Sequence, residues 1–149
     1  MKFELNDKKL DAIKADFELV FIQDKNLKIF NKEKDFFKLN NYKGEGALLD
    51  LNNKKLYLEL KSLAYEDIRL SLCTAYKTLE KLNIKSVKLP SIIGDCVVRS
   101  FASLVEGVLF GAYKFDKYKS EKKTSTLEKF IISNEELNGK KFNKDEAKI

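Results

Sequence analysis

A chain of 149 residues, 44% hydrophobic and 35% charged, has the size of one domain and enough apolar mass for a core without disulfides or metals. Its Lys and Arg number 29 against 23 Asp and Glu, a net charge of +6, and it has no histidine. Without imidazole, a Cys–His or Ser–His–Asp mechanism is excluded within these residues, and the two widely spaced cysteines, Cys73 and Cys96, do not make a zinc site.

In chain order, Phe3–Leu5 reads as a short strand and Asn6–Lys14 as a turn or a single helical turn. Phe17–Ile22, apolar almost throughout, predicts a strand buried on both faces. The stretch from Gln23 to Tyr42 is weaker, with Asp35–Leu39 a short helix or extended. After Gly44-Glu45-Gly46, Ala47–Leu51 and Leu56–Leu60 flank Asn52–Lys55 as a β-hairpin, with Leu56, Leu58 and Leu60 on one face and Tyr57 and Glu59 on the other. Glu66–Leu82 carries Ile68, Leu72, Ala75, Leu79 and Leu82 at spacings of three or four, which predicts an amphipathic helix. Ser86–Leu89 is a short strand closed by Pro90.

Asp95 is then a candidate N-cap for a helix over Cys96–Tyr113. That helix is apolar around most of its circumference, through Val97, Val98, Phe101, Leu104, Val105, Val108, Leu109 and Ala112, which predicts central burial against a sheet. Ser103, Gly107 and Gly111 recur every four residues, so one face is small. Glycine costs about 1 kcal/mol inside a helix, and two on one face predict close backbone packing against a strand. Leu127–Ser133 is the last strand. The tail from Asn134 to Ile149 is polar, and Asn143–Ala147 reads as the start of a linker helix. The expected division is therefore a domain over 1–133 and a linker over 134–149 leading to a further domain. The order of elements implies a mixed sheet covered by helices, an α/β fold.

Both cysteines sit in apolar segments and read as buried free thiols of a reducing cytoplasm. No apolar stretch is long enough to span a bilayer, and Met1–Glu4 has no signal-peptide hydrophobic region. The expectation is a cytoplasmic chain with no membrane association. Lys114, Lys117, Lys119, Lys122 and Lys123, answered by Asp116 and Glu121, form a lysine-rich surface. It leaves weak, salt-dependent DNA binding open. With only Arg69 and Arg99 as arginines, base-specific readout is disfavoured.

No motif for chemistry emerges. There is no P-loop and no GxGxxG, and Gly44 and Gly46 precede a strand rather than a helix. The acidic pairs Glu66-Asp67 and Glu135-Glu136 suit a helix start and a solvated tail. No catalytic, metal-binding or cofactor-binding residue is assigned.

One strip is specific. Glu106, Gly107, Gly111, Tyr113, Phe115, Asp116, Tyr118, Lys119 and Ser120 stand in the register E-G-x-x-L-G-x-Y-x-F-D-x-Y-K-S, with Phe110 in place of the common leucine. This strip resembles the end of the N-terminal domain of the leucyl aminopeptidase (cytosol aminopeptidase) family. Ala15-Asp16 before an apolar strand, Arg69 opening the first long helix and Lys85-Ser86-Val87 opening a strand are similar to the family as well. The Gly-Leu-Gly turn that many members place after the hairpin is absent, since the chain reads Leu60-Lys61-Ser62-Leu63.

The resemblance implies a three-layer, macro-domain-like sheet flanked by helices. It implies a parent metalloexopeptidase that removes N-terminal residues from peptides, a hydrolase with two divalent metals, manganese or zinc, in its C-terminal catalytic domain. It also implies a homo-hexamer when full length, with this piece inactive alone and serving assembly or substrate access. Macro domains bind nucleotides through close backbone approach at glycines. The alternative is a free-standing macro-like module for nucleotide or nucleic acid.

Overall fold

The computed structural model describes residues 1–118, 125–135 and 140–143, with the backbone alone over 114–118. Six strands form one sheet: β1 (Lys2–Asn6), β2 (Phe17–Gln23), β3 (Ala47–Asp50), β4 (Lys55–Leu60), β5 (Ser86–Pro90) and β6 (Lys129–Ser133). Three helices accompany them: α1 (Lys34–Leu39), α2 (Tyr65–Leu79) and α3 (Val97–Tyr118). The strand order is β1-β6-β5-β2-β4-β3. Every neighbouring pair is parallel except the β3–β4 hairpin, where Leu49 faces Leu56 and Ala47 faces Leu58.

Connection handedness explains the layering. The steps β4-α2-β5 and β5-α3-β6 move the same way across the sheet, so right-handed crossovers put α2 and α3 on one face. The step from β1 to β2 moves the opposite way. Its connection, a 3-10 turn over Leu10–Ala12, lies on the other face, where Lys88 of β5 donates to the carbonyls of Leu10 and Ile13 at 2.9 and 3.0 Å.

The main core lies between the sheet and α2/α3. Leu19, Leu56, Leu58, Leu60, Val87, Leu89, Phe130 and Ile132 meet Ile68, Leu72, Leu79, Leu104 and Val108 there. The stripe predicted for α2 is buried over Ile68, Leu72, Ala75 and Leu79. The helix itself ends at Leu79, and Leu82 packs on the core from the turn that follows.

The small face of α3 does mark a close approach, but its partner is α2 rather than a strand. A Cβ on Gly107 would run into the Arg69 carbonyl oxygen and stand 2.9 Å from Leu72 Cβ; one on Gly111 would stand 3.2 Å from the Cys73 carbonyl oxygen. Two helices side by side on one sheet face must share that face, and small residues let their axes come near.

That geometry also corrects the expected burial of α3. One sheet face and one neighbouring helix do not surround it, so Val98, Leu109, Phe110 and Tyr113 are exposed. Cys96 is exposed too, while Cys73 is buried, and both thiols are free. The helix starts at Val97, so Cys96 rather than Asp95 precedes its first turn.

A second, aromatic-rich cluster covers the opposite face. Ile22, Phe37 and Tyr57 are buried there with Phe30, Phe36 and Tyr42 around them, and the Phe37 and Tyr57 rings meet edge-on at 4.9 Å. The Tyr57 hydroxyl is buried without a hydrogen-bond partner, and burial pushes its ionisation up to about 12, with the carboxylates of Glu33 and Asp50 adding to the shift. Tyr42, whose hydroxyl donates to the Gly46 carbonyl at 3.0 Å, is likewise pushed up to about 12 by burial and then by Glu59.

A raised tyrosine pKa means the unfolded chain releases the proton first. Stability contributed by these two groups is therefore complete below about pH 10 and is lost as pH rises toward 12. In a tyrosinate absorbance titration, Tyr42 and Tyr57 are expected to ionise late, together with alkaline unfolding. Tyr57→Phe should remove one late-ionising tyrosine and cost no stability, since the lost hydroxyl is unpaired.

The folded body reaches past the expected boundary at 133. The Asn134 side chain clasps residue 142, donating to the Phe142 carbonyl and accepting from the Phe142 amide, both at 3.0 Å. The Phe142 ring is buried against Phe101 at 5.3 Å. The linker helix expected over Asn143–Ala147 lies outside the described residues after Asn143, as do Glu136 and Lys119–Lys123.

Candidate functional site

The sheet opens at its centre. β2 pairs with β4 from Glu18 to Gln23 and β5 pairs with β6 from Ser86 to Pro90, yet β2 and β5 pair only at Phe17↔Val87 and Glu18↔Lys88. Beyond those pairs the two strands part. The chain leaves β2 toward one edge of the sheet and leaves β5 toward the other. Such a switch in direction makes a crevice at the carboxyl ends of the strands. Pro90, the only proline, ends β5 there, and a residue without an N–H is tolerated where a ladder stops.

A cavity of about 510 Å³ fills the gap, with Val20, Phe30, Leu63 and Ile92 among its apolar walls and Glu18 and Lys140 among its polar lining. Glu18 sits at the closed end, where the strands last pair. Its carboxylate is 16% exposed and lies 3.5 Å from the ammonium of Lys88, itself 14% exposed. Lys140 lies among the loops at the open end and donates to the Gly94 carbonyl at 3.0 Å. Gly94 has a packing role: a Cβ there would collide with the Leu63 carbonyl oxygen. The glycine thus lets the loop after β5 rest on the loop after β4, which forms the rim.

A second hollow, of about 470 Å³, is lined by Asp24, Lys25, Glu45, Glu59 and Lys61. Lys25 and Glu45 pair at 2.7 Å on the surface; the shared hydrogen bond holds the Glu45 carboxyl below its usual range and raises the Lys25 ammonium. Salt screens so exposed a pair. Among the described residues no three His, Cys, Asp or Glu side chains come together as a metal site. No helix of the described residues is long and apolar enough to cross a membrane.

Several residues that carry the family resemblance meet in space. Asp16 accepts from the backbone amides of Lys85 and Ser86 at 2.7 and 3.3 Å, joining the start of β2 to the start of β5. Arg69 packs its backbone on Gly107 and lays its guanidinium 5.3 Å from the centroid of the Phe110 ring. The side chains of Phe115, Asp116 and Tyr118, and all of Lys119 and Ser120, lie outside the described residues. Val98, Leu109 and Tyr113, at helical spacing on one side of α3, form an exposed apolar stripe.

The fold is of the macro class. It matches the macrodomain of Mycobacterium tuberculosis DarG with a TM-score of 0.51 at 9% identity, over 88% of this chain and 97% of that one. A tomato leucine aminopeptidase variant superposes more fully, with a TM-score of 0.70 at 13% identity over 99% of this chain and 35% of that one. In sequence the chain is 32% identical over 127 residues to a probable cytosol aminopeptidase of Wolinella succinogenes, covering 83% of this chain. It spans only about a quarter (26%) of that relative's length. No family model matches the chain. The sequence match and the fold together identify the chain as an N-terminal domain of the leucyl aminopeptidase (cytosol aminopeptidase) family.

Proposed function

We propose that the chain is the non-catalytic N-terminal domain of a cytoplasmic, metal-dependent aminopeptidase that removes N-terminal residues from peptides, and that it serves hexamer assembly or substrate access. The observation that carries the role is the apolar stripe of Val98, Leu109 and Tyr113 on α3, the helix that also bears the family marker. Side chains of this kind, aligned on one face of a surface helix, mark contact with another protein surface. In a parent of this type, two manganese or zinc ions in the C-terminal domain would polarise the scissile carbonyl and activate water. With no histidine in the chain, no step of that hydrolysis is assigned to its residues.

The test uses a full-length polypeptide carrying this domain. Leu109→Lys with Tyr113→Lys should leave the circular dichroism unchanged and shift the sedimenting species toward smaller assemblies. An unaltered assembly would remove the interface role.

The cleft between β2 and β5, together with the likeness to a macrodomain, supports a second reading as a nucleotide or nucleic-acid module. Saturable binding of a nucleotide by the chain would favour it. A DNA association that disappears between 50 and 200 mM salt would reflect only the chain's positive charge.

A further inference from the structure

We infer that the cleft between β2 and β5 is a binding site for a short apolar peptide with free termini. The inference goes beyond the proposed role as a peptidase domain and holds for this chain whatever its parent does.

Three observations converge on that ligand class. First, past Glu18↔Lys88 the facing edges of β2 and β5 are no longer laddered to each other. Backbone amides and carbonyls at such an edge need partners, and a peptide supplies both donors and acceptors in the geometry of a strand. Second, Val20, Phe30, Leu63 and Ile92 line the space, so side chains entering it are apolar. Its volume of about 510 Å³ lies within the range of small-ligand pockets, roughly 300–1,000 Å³.

Third, the two charged residues that line the cavity, Glu18 on β2 and Lys140 beside Gly94, have opposite signs. The Glu18 carboxylate has Lys88 as its ion-pair partner at 3.5 Å and retains acceptor sites for a second ammonium. At the other end the Lys140 ammonium uses one donor on Gly94 and keeps two for a carboxylate. A molecule with a cationic end, an anionic end, an amide between them and branched apolar side chains meets all of these groups. The expected orientation puts the peptide's amino group on Glu18 and its carboxylate on Lys140.

The experiment is an amide chemical-shift titration of the 149-residue chain with leucyl-leucine, leucyl-leucinamide and acetyl-leucyl-leucine. Leucyl-leucine should shift the amides of Val20–Gln23 and Ser91–Ile93 in a saturable way. Each blocked compound should bind about tenfold more weakly, the loss of one charge-assisted contact. Lys140→Ala should weaken leucyl-leucine about tenfold and leave leucyl-leucinamide unchanged, a selective effect that a loosened fold would not produce.

Glu18→Gln should weaken both free-amine ligands. If that variant unfolds because Lys88 loses its partner, the acetylated ligand on the native chain tests the same contact. Absence of saturable shifts at up to about 10 mM peptide, equal binding of all three compounds, or shifts confined to other residues would overturn the assignment. So would binding of adenosine monophosphate in the cleft with none of the dipeptide.

Discussion

Phe130→Ala is expected to lower the unfolding free energy by about 4 kcal/mol. Phe130 is fully buried in β6, between Phe3 of β1 and Val87 of β5, and faces the main core. Its ring stands 6.1 Å from that of Phe3. Truncation removes the transfer free energy of the ring and leaves a cavity. A sheet hydrogen-bonded on both sides of β6 cannot collapse to fill that cavity. Stabilities of single domains lie around 5–15 kcal/mol, so the variant should be largely unfolded at a urea concentration that leaves the native chain intact. Urea denaturation should show a lower midpoint with an unchanged slope. A loss below about 1 kcal/mol would mean that the main core is not centred on β6.

Gly107→Val should cost about 3 kcal/mol, through the opposite fault of overpacking. The Arg69 carbonyl and Leu72 Cβ already occupy the space a side chain would need. A carbonyl fixed in a helix cannot rotate aside, so α2 and α3 must separate along their crossing. The gain in helix propensity on leaving glycine, under about 1 kcal/mol, does not offset that. Gly111 is the control. Its added Cβ would meet atoms at 3.2–3.4 Å, so Gly111→Ala sets a mild contact against a propensity gain and should change stability by less than about 1 kcal/mol. Equal losses at the two positions would show that the helices do not cross as described.

Much of this fold is legible in the residues. The hairpin, the stripe of α2 and the strand at Phe17 are written in local periodicity, and all three form, although α2 ends at Leu79 and leaves Leu82 to the turn beyond it. The small face of Ser103, Gly107 and Gly111 announces a close approach, but composition alone cannot say whether a strand or a helix approaches. Two consecutive crossovers on one face settle it in favour of α2. The same crowding explains why Val98 and Leu109 stay in the open: the apolar circumference of α3 exceeds what a sheet and one helix can cover. Phe142 gave no signal, being a lone aromatic in a polar run. It is buried through a clasp with Asn134 that depends on the tertiary fold.

The cleft is legible least of all. It arises from how far β2 and β5 run before parting, a non-local quantity for which Pro90 is the sole local hint. Its charged lining, Glu18 and Lys140, lies in segments far apart in the chain. No spacing rule connects them. The resemblance near Glu106–Ser120 has a physical basis where it can be seen, since Gly107 and Phe110 both pack on Arg69.

The chain belongs to the leucyl aminopeptidase family, and the role proposed for it has no part in catalysis. The direct measurement is release of p-nitroaniline from leucine p-nitroanilide by the 149-residue chain with manganese or zinc added. The account predicts a rate equal to that of the metal alone. Saturable turnover that scales with the chain and disappears on its unfolding would contradict it.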